Sequence, residues 1–282
     1  MSDPTPPDSP TQITIRHLTG RPEYEACLEL QRRTWGERFV ECVPPALQMI
    51  GQKLGGVTAG AFAPPGRLVG FVFGLTGVQQ RRLVHWSHML AVVPELRDRG
   101  IGRRLKKFQW EVCRDQGVRT IYWTFDPLVA RNAHFNLNRL GARIEEYVVN
   151  LYGEEPDNDL ARGIGTDRFV VAWSVLDDPV ERGSRPGSTV VERRFRDTPI
   201  VAPAAGGGRV TLQEAVTGRV RVEIPPDLTA LLAGDGTEAR RWRDSSREAF
   251  QTHLGAGFEV EGFYRETGSA RCFYGLARAE ES

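Results

Sequence analysis

The chain has 282 residues, enough for one large domain or two smaller ones, and two is the expectation here. Its 37 Lys and Arg balance 36 Asp and Glu at a formal charge of +1, which gives no global electrostatic reason to expect nucleic acid or an anionic membrane as partner. The four cysteines form no CxxC pair, against a metal site or a disulfide framework; no apolar run nears the ~20 residues of a membrane helix, and the start MSDPTPPDSP lacks a signal-peptide pattern, so a reducing cytoplasm is expected.

After a disordered tip over 1–10, TQITIRHL alternates like a strand, and Tyr24, Cys27, Leu28, Gln31 and Trp35 recur at helical spacing. GGVTAGAF and RLVGFVFGL read as a hairpin around the turn APPG. RRLVHWSHMLAVV is a longer strand, on which a period of two puts Trp86, His88, Leu90 and Val92 on one face and His85 and Ser87 on the other. Pro94 ends it, and Ile101, Leu105, Phe108 and Val112 mark an amphipathic helix stopping near Gly117. RTIYWTFDP follows as a strand, RNAHFNLNRLG as a short helix, and RIEEYVV and DRFVVAWSVL as strands. These elements make one α/β domain over 11–177.

Residues 178–209, rich in Pro, Gly, Ser and charge, read as a linker with one strand at VVERRF. Over 210–282 a smaller lobe runs strand, helix, strand, strand, the order of the first domain's second half; aligning Gly257 with Gly141 matches Phe263 with Tyr147.

RGIG occurs twice, at Arg99–Gly102 and Arg162–Gly165. A backbone phosphate site needs several N–H groups converging where a strand turns through glycines into a helix N-terminus, and only the first copy has that setting. The second follows the acidic GEEPDND and leads into a strand, so it is assigned to a connecting loop.

The stretch VVPELRDRGIGRRL resembles the acyl-coenzyme A signature of the GNAT superfamily, R/Q-x-x-G-x-G/A, through Arg97, Gly100 and Gly102, and RNAHFNLNRLGA resembles its second conserved region. HWSHMLAV, WTFDPL and GTDRFVVAW look like one predicted-acetyltransferase subgroup, and WRDSSREAF resembles that subgroup's C-terminal extension. The resemblance implies a GNAT-like, mostly antiparallel mixed sheet flanked by helices, with a C-terminal lobe resembling half of that fold. It implies an N-acetyltransferase using acetyl-CoA on an amine, with no metal; the alternative is an acyl-CoA-binding protein without efficient catalysis. A homodimer is left open.

In the superfamily the strand before the signature splays at a bulge and pairs with pantetheine, a role that falls here to Leu90, Ala91 and Val92. The pyrophosphate would rest on amides of Arg97, Asp98, Arg99, Gly100, Ile101 and Gly102, with Arg103 and Arg104 as further donors. Lys106 and Lys107 either meet the remaining phosphate or form a solvated helix face. His88 is the titratable side chain nearest the thioester end, either a general base or a buried histidine satisfied by hydrogen bonds. Glu41 and Asp126 are candidate amine-binding carboxylates or else cap and turn ligands; Asn132 contacts pantetheine or caps its helix. Leu137 stands where relatives carry an acid tyrosine and cannot donate a proton.

Overall fold

The computed structural model describes residues 12–37, 39–153, 163–176, 187–202 and 218–278. The expected tip over 1–10 and half of the 178–209 linker, 178–186 and 203–209, lie outside the described residues. The first sheet has seven strands, mostly antiparallel, in the order β1-β2-β3-β4-β5-β7-β6, and the second has four, β10-β11-β9-β8. Contacts group the described residues into two compact units. One unit draws on Met1–Trp123 and Ser174–Asp177, the other on Thr124–Pro156, Leu160–Trp173 and Asp178–Ser282. Among the described residues no helix is long and apolar enough to cross a membrane.

In the first unit, β1 (Thr14–His17) leads to α1 (Gly20–Trp35), which buries Tyr24, Cys27, Leu30 and Gln31 along one stripe. A helix the sequence reading missed, α2 (Pro45–Lys53), starts on Pro45, where a missing N–H costs nothing. β2 (Val57–Ala63), β3 (Arg67–Gln79) and β4 (Arg82–Val92) form an antiparallel meander. The odd residues of β3 meet α1 and α2: Phe71 packs edge-on against Trp35, and Phe73 and Leu75 lie against Gly51. The even ones meet α3 (Ile101–Asp115), with Gly70 near Leu105 and Gly74 near Gln109. β5 (Thr120–Phe125) then pairs in parallel with β4.

The helix α3 buries Ile101, Leu105, Lys106, Gln109, Trp110 and Cys113, so its core stripe is rotated from the expected one of Ile101, Leu105, Phe108 and Val112. The expectation counted apolar residues only, whereas the buried face includes an amine and an amide.

The second unit holds α4 (Ala130–Ala133) with a π turn over His134–Arg139, β6 (Arg143–Val148) and β7 (Arg168–Ser174). α5 (Ser188–Phe195), β8 (Ile200–Ala202), β9 (Arg219–Ile224), α6 (Leu228–Leu232), α7 (Thr237–Gly255), β10 (Phe258–Arg265) and β11 (Cys272–Arg278) follow. The order β9-β11-β10 parallels β5-β7-β6, the last strand in the middle each time. VVERRF, expected as a strand, is helical in α5. Val191 and Phe195, four apart, share one helix face and bury it with Tyr264, Phe273 and Ala277. A second cluster joins Phe169 to Phe250 and Tyr274, with ring centroids 4.8 and 5.5 Å away.

Candidate active site

In β4 the register steps from Phe73↔Met89 to Gly74↔Ser87, so His88 is the extra residue of a β-bulge. The bulge breaks the period of two. Ser87 and His85 lie on the α3 face, and Trp86 (opposite Leu75) and His88 (edge-on to Phe73 at 6.2 Å) lie on the α1/α2 face. Beyond it Leu90 opposes Val72 and Val92 opposes Gly70, which puts both on the α3 face. The single face expected for Trp86, His88, Leu90 and Val92 is therefore two half-faces, because one inserted residue inverts all that follow.

β4 also parts from β5. Their parallel register runs from Val84↔Thr120 to Trp86↔Tyr122, and Leu90, Ala91 and Val92 keep β3 as neighbour on one edge only. The Val92 carbonyl accepts from Arg97 Nε at 3.1 Å, which ties the end of the strand to the turn that follows.

That turn puts Asp98 at φ 60° and Gly100 at φ 79°, and Gly100 is the N-cap of α3. No side chain caps the helix, so the first amides, with those of Ile101 and Gly102 among them, face outward at the positive end of the dipole. Arg99 and Arg103 are exposed beside it. Arg104 is otherwise engaged, since its guanidinium donates to the Ile13 carbonyl, so the chain uses it to tie α3 to the residue before β1.

His88 is half-buried; burial lowers its pKa below the ordinary 6.5 and the Glu41 carboxylate opposes that shift. Glu41 is exposed between α1 and α2. The neighbouring His85 is fully buried, with Nδ1 2.9 Å from Thr76 Oγ1 and Nε2 3.0 Å from Gln109 Nε2. Burial, then the Lys106 charge, hold it down to about 3, so it is neutral.

Lys106 overturns its expected place on a solvated face: it is 3 % exposed, and Nζ donates to Ser87 Oγ at 2.8 Å and sits 3.8 Å from the Trp123 ring centroid. Its neighbour Lys107 is exposed as expected and pairs with Glu111. The spacing Lys106, Gln109, Cys113 was the available signal, hidden because a lysine is scored as polar.

In the second unit Asp126 has structural partners. Its Oδ1 accepts the Leu128 N–H at 2.8 Å and its Oδ2 accepts Arg243 Nη2 at 2.6 Å, with Arg168 at 3.6 Å. Asn132 is the third residue of α4, whose N-terminus has no side-chain cap, so the capping reading is replaced. Leu137 is buried at 2 % exposure.

The second RGIG works through its carbonyls. Gly163 O accepts from Arg240 at 2.8 Å and Ile164 O from Arg243 Nε at 3.2 Å, so the loop is a socket for the arginines of α7. Arg247 of α7 donates twice to Asp167, whose carboxylate also accepts from Tyr147. Burial raises the Asp167 carboxyl, and Arg247 and Tyr147 outweigh it, leaving a lowered pKa. Gly165 lies at φ 74°, and a Cβ there would come within 2.5 Å of Asn150 Oδ1. Gly165→Leu is expected to cost ~1–3 kcal/mol of stability through strain and displacement of Asn150, read as a lower Tm. An unchanged Tm would remove the socket reading.

A forked, bulged strand thus runs into a glycine-started, uncapped helix in an α/β fold. Residues 24–141 match the model of the Acetyltransferase (GNAT) family, and this part of the chain is a GNAT-superfamily acetyltransferase domain. Similar solved structures include Ard1 from Thermoplasma volcanium, at 17% identity over 59% of this chain and 99% of that one, with a TM-score of 0.46. The ribosomal-protein-S18-alanine N-acetyltransferase from Escherichia coli matches at 18% identity over 58% of this chain and 94% of that one, TM-score 0.43. YncA of Salmonella typhimurium, a putative acetyltransferase with its cofactor acetyl-CoA, matches at 15% identity over 59% and 95%, TM-score 0.45. Among curated proteins no match is found.

Proposed function

We propose that the chain is an N-acetyltransferase that moves an acetyl group from acetyl-CoA to an amine by direct attack. The observation that carries this is the bulge at His88 followed by the parting of β4 from β5 and the uncapped α3 N-terminus. The amides from Arg97 to Gly102 and the exposed Arg99 and Arg103 fit a pyrophosphate, since an uncapped helix start offers unpaired donors and a favourable dipole. Leu90, Ala91 and Val92 fit a strand-like pantetheine, and Asn132 is kept as a pantetheine contact on the family resemblance alone. When bound, acetyl-CoA supplies the acyl group as a thioester.

His88 takes the role of general base and Glu41 that of its electrostatic partner beside the incoming amine. Asp126 is left out of amine recognition, because Arg243 and the Leu128 amide already engage its carboxylate. Calorimetry with acetyl-CoA, followed by thiol release against amino acids, polyamines, aminoglycosides and peptide N-termini, tests the reading. Binding without turnover on any amine would favour the second reading, an acyl-CoA-binding protein, for which the buried Leu137 is the supporting observation.

His88→Ala is expected to lower kcat by ~10²-fold with little change in donor affinity. A base works neutral, so turnover falls as pH drops through the His88 pKa, which lies below 6.5. Glu41 raises that pKa, so Glu41→Gln moves the acidic limb to lower pH. A profile unmoved by either change would transfer the role to water.

A further inference from the structure

The last paired residues of β4 and β5 are Trp86 and Tyr122, so Ser87 and Trp123 are the first residues past the fork. Lys106 touches both, donating to the Ser87 hydroxyl at 2.8 Å and capping the Trp123 ring at 3.8 Å. One ammonium is thus held at the point where the two strands separate, one residue before the bulge.

No carboxylate pairs with Lys106 among the described residues. On its own helix the Cys113 thiol is pushed up to about 12 by burial, and so is neutral. On β4 the titratable group nearest in effect is His85, which the Lys106 charge helps hold neutral, with His88 on the opposite face. β2 carries no ionisable residue, the ionisable residue of β3 is Arg67 at its first position, and from β1 His17 lies against Phe108. A buried amine with no counter-ion is expensive to maintain as a structural feature, since a methionine of similar volume would fill the same space without the desolvation cost. Burial, opposed by Cys113, lowers its pKa to about 7, where an amine gives up its proton readily.

We propose that Lys106 is the general acid of the transfer, delivering its proton through the Ser87 hydroxyl to the sulfur that leaves. The amine nitrogen forms a bond to the thioester carbon and the carbon–sulfur bond breaks, its electron pair going to sulfur. Ser87 gives its hydroxyl proton to the sulfur and takes one from the Lys106 ammonium, while His88 accepts the amine's proton; solvent then reprotonates Lys106. This supplies the function that Leu137 cannot, and it rests on the proposed acetyl-CoA reading.

The test needs no acceptor. Coenzyme A is titrated while bound, following thiolate absorbance, in the wild type and in Lys106→Met. The wild type is expected to hold the bound thiol below its free value, because a Ser87 hydroxyl hydrogen-bonded to Lys106 donates to the thiolate, and Lys106→Met to raise it towards that value. If coenzyme A binds and its thiol titrates alike in both, the acid role is overturned and the acetyl-CoA reading stands. If the wild type binds no coenzyme A, the acetyl-CoA reading falls and the acid role with it. Should Lys106→Met fail to fold, Ser87→Ala decides: a bound thiol raised towards its free value supports the relay, and an unshifted one overturns it. With a working amine, Lys106→Met should also lower kcat ~10²-fold and erase the alkaline limb near pH 7, because the acid works protonated.

Discussion

A chain ended at Asp177 is expected to aggregate or melt without a cooperative transition. It would lose all of α7, and with it Arg243 and Arg247, the partners of the buried carboxylates Asp126 and Asp167. Removing one partner of a buried ion pair costs about 3–5 kcal/mol, and whole-domain stability is only ~5–15 kcal/mol. Phe169 would also lose the rings of Phe250 and Tyr274, uncovering apolar surface. Arg243→Met in the full chain isolates the ionic part and should give roughly the single-pair loss. Size-exclusion chromatography and thermal melts decide it; a monomeric shortened chain as stable as the full one would make the remaining lobe an appendage.

Gly100→Val should weaken acetyl-CoA binding by ~10-fold or more, about 1.4 kcal/mol, while leaving the protein folded. Gly117 provides the control. Both glycines sit at φ 79°, both face open space where a Cβ would go, and they lie at opposite ends of α3. Valine at either position pays the same left-handed strain, ~1–2 kcal/mol, so a similar fall in Tm is expected from each. At position 100 the strain reshapes the turn that presents the amides, and the added side chain stands at the phosphate position; at position 117 it affects the negative end of the dipole. Equal affinities for the two variants by calorimetry would remove the cradle from the α3 N-terminus.

The sequence alone determined the fold class and most of the order of elements, α2 and the helix at VVERRF excepted. These rest on local physics: alternation for strands, an apolar stripe for helices, and a glycine turn set between strand and helix. Tertiary structure decided the rest. An inserted residue at His88 inverts the faces of Leu90 and Val92, and nothing in the letters HWSHML marks where a bulge falls, because it is set by the pairing partner β3. Lys106 read as a solvated cation and Arg104 as a phosphate donor, yet one is sealed between Ser87 and Trp123 and the other holds the Ile13 carbonyl. Asp126 and Asp167 find their arginines in α7, 117 and 80 residues along the chain. A charge's neighbours far along the chain are fixed by packing, so what it does, pair, cap or catalyse, is legible only once the chain has folded back on itself.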